Sequence, residues 1–354
     1  MGLLSKSKNI LGLDVGSSSI KVAELRESKT GYELVNFGIE PLPHETIVDS
    51  TIMNAPAVVS AIRKLLSAHQ IKAKQVCTSV SGHSVIIRKI TLPLMTEEEI
   101  EGNIQWEAEQ YIPFDINEVN IDWQRLETEN EDQESQDVLL VAVKKDMVND
   151  YVAVINEAGL DPVIMDIDAF SVQNMFEVNL EPRKGQVNAL VNIGASVINI
   201  NIVRDGNSVF TRDMSIGGNH FTEEIQKQLG VSFEEAEQMK LNAGKDGGSS
   251  NQELSDVINS ISSSIALEIQ RSLDFFTATS SVGHISKVFI VGGAAKTPGL
   301  TGVIESQIGT PVEAVNPFNA IEINPKNFDM EYIKDVAPMA GVAVGLALRR
   351  LGDK

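Results

Sequence analysis

Two short stretches, one in each half of the chain, share a single design: LGLDVGSSSIKVAEL and ALVNIGASVININ. Each has an apolar strand, an acid or amide, a glycine, a turn of small residues and a second apolar strand. Glycine allows the backbone to approach a ligand closely, and successive amide N–H groups form an anion-binding concavity. Alone, the first stretch is more often a tight hairpin than a phosphate site. Two of them in one chain favour a pair of phosphate-binding turns.

The polar residue before each turn suits a hydrated cation. Asp14 and Asn192 lie near the ends of their strands, where a side-chain oxygen can hold the waters of a magnesium ion. Lys21 follows the first turn and offers a further phosphate contact. We therefore expect Asp14 to bind Mg²⁺ through water.

A third glycine element lies near the end of the chain, in VFIVGGAAKTPGL. Gly292 and Gly293 end a predicted buried strand, where the missing side chains leave a flat slot for a nucleoside and the following amides can meet its phosphates. A Gly-Gly pair alone is a weak signal. Because it follows two predicted phosphate-binding turns, the three elements together indicate a nucleotide site.

Composition limits the classes of partner. The chain has 354 residues and a net charge of −20 at pH 7, so a nucleic acid backbone and an anionic lipid surface would both be repelled. The single cysteine, Cys77, excludes an internal disulfide and fits a reducing compartment. The histidines show no metal-ligand spacing, and no stretch approaches the roughly 20 apolar residues of a membrane span. We expect a cytoplasmic protein that binds proteins or small ligands.

Strands alternate with helices along the chain, which predicts an α/β fold. Apolar runs at 10–15 and 20–25 predict a hairpin, YELVNFGIEP a third strand and APAVVSAIRKLLSAHQ a helix. From Gly82 to Gly159 the order is strand, helix, strand, strand, which indicates an insertion, and its acidic run ETENEDQESQD predicts a solvated hairpin loop. The alternation of isoleucine and asparagine at 198–202 predicts a half-buried strand.

In this order, the three glycine elements resemble the superfamily of actin, heat-shock chaperones and sugar kinases, and APMAGVAVGLALRR resembles its second connecting helix. The resemblance implies an actin-like, ribonuclease H-like α/β fold whose two lobes bind ATP between them. The insertion resembles that of the cell-division protein FtsA, known as the SHS2 domain. ILGLDVGSSSIKVAEL and EEEIEGNIQWEAEQYIPFDINEVNIDW look more like the PilM family of type IV pilus assembly, over nearly the whole chain.

The resemblance also implies a division of the chain into segments. They are residues 1–81 (core of the first lobe), 82–159 (the inserted subdomain), 160–185 (first lobe, continued), 186–334 (second lobe, with a helical outer part at about 219–283) and 335–354 (closing helix of the first lobe).

Nucleotide-binding roles carry over from the superfamily position by position. The matching residues are Asp14, Gly16, Ser17, Ser18, Ser19 and Lys21 in the first phosphate motif, Asn192, Gly194, Ala195 and Ser196 in the second, Gly217 and Gly218 at the start of the outer part, Glu237 and Lys240 near the nucleoside, and Gly292, Gly293 and Ala294 in the adenosine motif.

Two positions bear on hydrolysis. Many relatives carry aspartate where this chain has Asn192, so we expect weaker magnesium binding and weak or absent ATPase activity. Asp168, after VIMDI, matches the position of the residue that orients the attacking water, but an acid at a helix start is also a common cap. We favour the cap, and no other catalytic residue is assigned.

The resemblance implies an ATP-binding cytoplasmic scaffold of the pilus platform. It would bind the cytoplasmic tail of PilN, be recruited to the inner membrane by protein partners and support twitching motility. PilC, the pilus motor ATPases and self-association are further implied contacts, and Trp106, Tyr111 and Phe114 would be core or interface anchors. Two alternatives stay open, namely a small-molecule kinase or phosphatase of the same fold and an FtsA-like filament protein.

Overall fold

Two mixed sheets form the frame of the protein, whose computed structural model describes residues 10–126, 134–180, 183–243 and 252–353. The first part of the chain forms β1 (Leu11–Val15), β2 (Ser19–Ser28), β3 (Gly31–Pro41), β4 (Ile47–Val48), β5 (Thr51–Ile52), α1 (Ala55–Ala68) and β6 (Gln75–Val80). The predicted hairpin, third strand and helix are therefore confirmed.

The inserted unit follows, and its predicted order of elements is also confirmed. It consists of β7 (Val85–Pro93), α2 (Glu97–Ala108), a short 3-10 helix (Ile116–Glu118), β8 (Val119–Arg125) and β9 (Ser135–Lys144). Thr96 and Glu99 form a capping box at the start of α2. The strands pair in the order β7-β9-β8, and α2 buries Ile100 and Ile104 in a small separate core. Most of the predicted acidic loop, residues 127–133, lies outside the described residues.

The chain then returns to the first lobe through α3 (Lys145–Glu157), β10 (Asp161–Ile167) and α4 (Asp168–Asn179). Helix α3 buries Met147, Tyr151 and Ile155 in the same core as Ile62 of α1. The end of the inserted unit at residue 159 stays a prediction, and this packing favours an earlier end near Lys144.

The second lobe repeats the plan of the first. It contains β11 (Val187–Ile193), β12 (Ile198–Arg204), β13 (Asn207–Met214), α5 (Gly218–Leu229), α6 (Phe233–Asn242), α7 (Gln252–Thr279), β14 (Ile285–Val291), a 3-10 helix (Gly293–Lys296), α8 (Leu300–Ile308) and β15 (Val312–Ala314). Its sheet order is β13-β12-β11-β14-β15. The first sheet contains the corresponding series β3-β2-β1-β6-β10, so each lobe is an antiparallel three-strand meander extended by two parallel strands.

The prediction of a half-buried β12 is wrong, because both of its faces are covered. Ile200 and Ile202 enter the core beneath α7, as the alternation indicates. The opposite face is buried as well, since Asn201 donates hydrogen bonds to the Ala169 carbonyl and the Gln173 side chain of α4. Asn201 therefore faces the other lobe, and Asn199 is buried between Asn192 and Asp213 of its own lobe.

The last elements close the first lobe. They are β16 (Ile321–Glu322), which pairs with β3, then α9 (Met330–Val336), a 3-10 helix (Ala337–Ala340) and α10 (Gly341–Ala347). Helix α10 packs backbone to backbone on both neighbours: a Cβ atom on Gly12 would lie 2.2 Å from the Ala343 carbonyl oxygen, and one on Gly345 would lie 1.7 Å from that of Ser171. Only glycine fits at these two contacts.

Candidate functional site

A cavity of about 500 Å³ lies between the two lobes, at the ends of their central strands. It brings together residues from all three glycine elements. The predicted residues that line it are Asp14, Gly16, Ser17, Ser18, Lys21, Asp168, Asn192, Gly194, Ala195, Ser196, Gly218, Glu237, Lys240, Gly292, Gly293 and Ala294. Two predicted residues do not line it. Ser19 is buried in β2, and Gly217 borders a smaller neighbouring cavity.

The first turn is organised around a buried ion pair. Asp14 and Lys21 are opposite one another in the β1–β2 register, and the Lys21 Nζ lies 3.0 Å from the Asp14 Oδ2. Both residues are less than a tenth exposed. The Gly16 N–H closes the turn by donating to the Ser19 carbonyl at 3.2 Å. The first turn thus combines a paired carboxylate with a cation that already faces the cavity.

The second turn has the same backbone but an uncharged pair of side chains. Gly194 N–H donates to the Val197 carbonyl at 3.0 Å, as in the first turn. Asn192 and Asn199 are register partners, and the Asn192 Nδ2 donates to the Asn199 Oδ1 at 2.9 Å. The amide oxygen of Asn192 lies near Gly292, another lining residue.

The start of α5 is joined directly to the second turn. The Gly218 N–H donates to the Gly194 carbonyl at 2.9 Å and the Asn219 N–H to the Ala195 carbonyl at 2.8 Å. A Cβ atom on Gly217 would lie 2.5 Å from the Gly194 carbonyl oxygen, so a side chain is excluded there. Gly217 therefore acts by permitting this contact.

The third glycine element divides into a structural glycine and an open one. Gly292 has φ of +100°, and a Cβ atom there would lie 2.3 Å from the Ile193 carbonyl oxygen. A Cβ atom on Gly293 would meet only Met339, at 3.8 Å. Gly292 is needed for the backbone, whereas Gly293 leaves space in the cavity wall.

Glu237 and Lys240 of α6 reach the cavity as one network with α5. The Lys240 Nζ lies 2.6 Å from the Glu237 Oε2 and donates to the Gly218 carbonyl at 3.0 Å. Thr222 joins them by donating to Glu237 at 2.6 Å. These contacts fix two long side chains at the rim of the cavity.

The expectation that Asp168 caps its helix is wrong. Asp168 is the first residue of α4, and the cap position is Ile167, which makes no side-chain cap hydrogen bond. The carboxylate of Asp168 instead accepts a hydrogen bond from the Ser79 Oγ at 2.5 Å. Burial, and secondly the negative charge of Asp14, raise the pKa of Asp168 to about 6, although hydrogen bonds from Ser79 and Ser81 oppose this. A carboxyl group with this pKa can exchange a proton near neutral pH.

Sequence reasoning missed several lining residues. Asn219 lies at the start of α5 and donates to the Ser196 Oγ at 3.1 Å, while Lys296 pairs with Asp335 at 2.9 Å across the cavity wall. Ser81 follows β6 and lines the cavity beside Asp168. The small residues after β6, in TSVSG, were an available signal, because that strand lies parallel to β1 and ends at the same edge of the sheet.

The donor set can be tested against a hydrated magnesium ion. Asp14 and Asn192 offer a carboxylate and an amide oxygen, which are ligand types that Mg²⁺ prefers. Across the described residues there is no cluster of three or more His, Cys, Asp and Glu suited to a metal. The oxygens of Asp14 and Asn192 fit a cation that keeps most of its waters.

The family model described as type IV pilus assembly protein PilM matches residues 12–351. The chain belongs to the PilM family. A solved structure described as the PilM-PilN type IV pilus biogenesis complex is 29% identical, covers 96% of this chain and 98% of the other, and has a TM-score of 0.86. The family resemblance predicted from the two quoted stretches is thereby confirmed.

More distant structures extend the fold comparison beyond PilM. The ethanolamine utilization protein EutJ from Carboxydothermus hydrogenoformans is 15% identical over 96% of this chain and 89% of its own, with a TM-score of 0.59. A diol dehydratase-reactivating factor in nucleotide-free form is 10% identical over 96% and 99%, with a TM-score of 0.56. At these identities the likeness shows the fold alone, and the predicted actin-like α/β fold is confirmed.

None of the helices in residues 10–126, 134–180, 183–243 and 252–353 combines the length and apolar character needed to span a bilayer.

Proposed function

We propose that this PilM-family chain is an ATP-binding scaffold of the type IV pilus platform at the inner membrane. The supporting observation is that three glycine elements, far apart in sequence, line one cavity of about 500 Å³ between two lobes. That volume is within the range of small-molecule sites. In this proposal the protein is cytoplasmic and protein partners recruit it to the membrane.

The chemistry of the lining residues suggests how the ligand divides among them. The two turns offer backbone N–H groups to phosphates, and the open wall at Gly293, with Met339 beside it, suits the flat face of a nucleoside. Glu237 and Lys240 offer polar contacts to its sugar or base. Mg²⁺, when bound, would neutralise phosphate charge, and Asp14 and Asn192 would hold its waters.

Asp168 is the residue in the cavity best suited to orient or deprotonate an attacking water. Its carboxyl faces the cavity and its pKa of about 6 leaves it mostly ionised at neutral pH. Asn192 brings no charge to the cation, so we expect slow turnover. ATP would then act mainly by favouring the closed arrangement of the lobes through its higher affinity for that state.

Calorimetric titration with ATP, in magnesium and in EDTA, tests the nucleotide site. Gly293→Val would fill the open wall, so we expect binding to be lost while the melting temperature changes by less than about 2 °C. Gly302→Val is the matched control, because a Cβ atom at Gly302 has nothing within 4 Å, much as one at Gly293 meets only Met339 at 3.8 Å, but Gly302 does not line the cavity. If Gly293→Val and wild type bind ATP equally, the nucleoside lies elsewhere.

We also propose that the partner is the cytoplasmic tail of PilN, held between the first-lobe core and the inserted unit. Support comes from the 29% identical structure described as a PilM-PilN complex, and from the order β7-β9-β8, which leaves β7 and β8 as edge strands. An extended peptide can add to such an edge. PilC, the pilus motor ATPases and self-association belong to the same proposal, as does a role in twitching motility.

Replacing residues 85–143 with a short glycine-rich linker tests the role of the inserted unit. The exchange is feasible because Val85 and Val143 are register partners, so the two ends of the unit lie side by side. The linker variant keeps α3, which the first-lobe core requires. We expect ATP binding to persist and fluorescence anisotropy to show no binding of a labelled PilN tail. Normal tail binding by a variant that still binds ATP would contradict the assignment.

A further inference from the structure

A row of three polar side chains crosses the meander of the second lobe. Asn192 on β11, Asn199 on β12 and Asp213 on β13 are successive register partners. The Asn192 Nδ2 donates to the Asn199 Oδ1 at 2.9 Å, and the Asn199 Nδ2 donates to the Asp213 Oδ1 at 2.8 Å. The other carboxylate oxygen, Asp213 Oδ2, accepts from the Gly82 N–H at 2.6 Å. We call Asn192, Asn199 and Asp213 the polar row.

The carboxylate fixes the direction of every hydrogen bond in the polar row. Both Asp213 oxygens accept hydrogen bonds from N–H groups, as the oxygens of an ionised carboxylate do, so Asn199 turns its NH₂ group toward Asp213. The Asn199 oxygen then faces Asn192, which must donate its own NH₂ group in turn. This leaves the Asn192 oxygen free to face Gly292 and the cavity. The amide orientations thus follow from the charge at one end of the row.

We propose that Asp213 is a positioning residue: it orients Asn192 so that the side-chain oxygen of Asn192, and not its NH₂ group, faces the cation that accompanies a bound phosphate. The inference rests on the proposed nucleotide site. Asp213 does not line the cavity and acts through two amides, while the Gly82 N–H holds its second oxygen in place. An outer residue of this kind typically changes metal affinity by about ten-fold to a hundred-fold when it is replaced.

The substitution Asp213→Asn reverses the polar row without breaking it. The new amide can accept from the Gly82 N–H through its oxygen and donate to Asn199 through its NH₂ group. Asn199 and Asn192 then both flip, so that Asn192 presents NH₂ to the cavity. All hydrogen bonds are kept and only the atom offered to the cation changes. Asp213→Asn therefore separates the positioning role from a merely structural one.

The converse substitution, Asn192→Asp, leaves one hydrogen bond of the polar row unsatisfied when it is made alone. In Asn192→Asp, both ends of the row are carboxylates, and the single NH₂ group of Asn199 can satisfy only one of them. The double variant Asn192→Asp with Asp213→Asn removes the conflict, because the row then runs in the reversed direction with every partner satisfied. It also moves the carboxylate to the cavity, where a cation can use it.

The test measures ATP affinity by calorimetry in magnesium and in EDTA, with melting temperature as the folding control. Magnesium should increase the ATP affinity of wild type, and we expect this increase to be about ten-fold smaller in Asp213→Asn. The ATP affinity of Asp213→Asn in EDTA should stay within about two-fold of the wild-type value. We expect Asn192→Asp to lower the melting temperature, and the double variant to restore both it and the magnesium gain. Ser215→Ala is the matched control, since it removes the neighbouring hydrogen bond to His83, 2.7 Å long, but leaves the polar row intact.

The outcomes separate this inference from the function on which it rests. Absence of ATP binding by folded wild type would end the proposed function. If wild type binds ATP with a magnesium gain that Asp213→Asn retains in full, Asp213 is not a positioning residue. An equal loss in Ser215→Ala would likewise overturn the inference, because the effect would then belong to the general packing of this edge.

Discussion

The two glycine turns share a backbone and differ in where they keep their charge. In both lobes the residue before the turn pairs with the one seven positions later, as Asp14 with Lys21 and Asn192 with Asn199. On the third strand, the register partner of Lys21 is Ile39, whereas that of Asn199 is Asp213. In the first lobe the carboxylate of Asp14 is paired directly with Lys21 beside the turn. In the second lobe the carboxylate, Asp213, lies two strands away from the residue that precedes the turn.

This difference shows that the backbone of such a turn does not decide the chemistry it supports. Both turns close with the same N–H to carbonyl bond, from Gly16 to Ser19 and from Gly194 to Val197. The side chains across the neighbouring strands set the charge presented to a ligand. We therefore expect equivalent substitutions in the two turns to have unequal effects.

The largest expected difference follows from removing the polar residue before each turn. Asp14→Ala leaves the Lys21 ammonium buried without its partner, so we expect the free energy of unfolding to fall by about 3–5 kcal/mol and magnesium-dependent ATP affinity to drop. Asn192→Ala leaves only a neutral acceptor unpaired, which costs about 1–3 kcal/mol. Urea denaturation and calorimetry measure both effects. Equal losses of stability in the two variants would contradict the charge difference between the turns.

The turn glycines should differ by a smaller amount. A Cβ atom on Gly194 would lie 2.8 Å from the Val197 carbonyl oxygen, whereas one on Gly16 would come no closer than 3.1 Å to the Lys21 Nζ and 3.2 Å to the Ser19 carbonyl oxygen. We expect Gly194→Ala to cost about 1–3 kcal/mol in thermal unfolding and Gly16→Ala less than about 1 kcal/mol. The reverse order would show that the first turn is the stiffer one.

The smallest expected effect is the pH dependence of stability that arises from the buried carboxyl group of Asp168 in the first lobe. A carboxyl group whose pKa is raised by folding costs stability when ionised, so Asp168→Asn should raise the melting temperature at pH 8. The gain is fully present above about pH 6 and disappears toward the unfolded pKa near 4, because the folded carboxyl is then protonated. Melting curves from pH 8 to pH 4 measure it.

Substitutions at Asp14 and at its counterpart Asn192 test whether the charge before the first turn acts on Asp168. Asp14→Asn removes the charge that helps to raise the Asp168 pKa, so the pH midpoint of the Asp168→Asn gain should move lower in that background. Asn192→Leu removes no charge and should leave the midpoint where it is. A gain that does not vary with pH in any background would mean that Asp168 keeps an ordinary pKa.

Features that depend on neighbours along the chain were predictable from the sequence. The hairpin turns, the Thr96–Glu99 capping box and the end of β14 just before Gly292 each depend on residues within a few positions. Together with the family resemblance, they predicted the fold and half of the residues that line the cavity. The partners of Asp168 were not predictable in this way, because Ser79 reaches it from a different strand.

Burial of second-lobe residues by the first lobe was not predictable from the sequence either. The asparagine face of β12 resembles a solvent face in sequence, since nothing local reveals that α4 covers it. The role of Asp213 was not predictable either, because its partners, Asn199 and Gly82, come from a neighbouring strand and from the segment that precedes β7. Helix α3 has an ordinary amphipathic pattern that does not tell which core it joins.

The glycine contacts of α10 bear on how the protein is made. Gly12 touches the backbone of Ala343, and Gly345 touches that of Ser171, so the sheet that holds β1 gains its cover from residues translated more than three hundred positions later. Contacts this distant in sequence slow folding. The second lobe, whose own strands and helices are all synthesised before α9, can form while the first still lacks its last helix. We therefore expect the nascent chain to expose the apolar surface around Ile10 and Ala23 until α10 leaves the ribosome, which makes this lobe the one that needs chaperone protection.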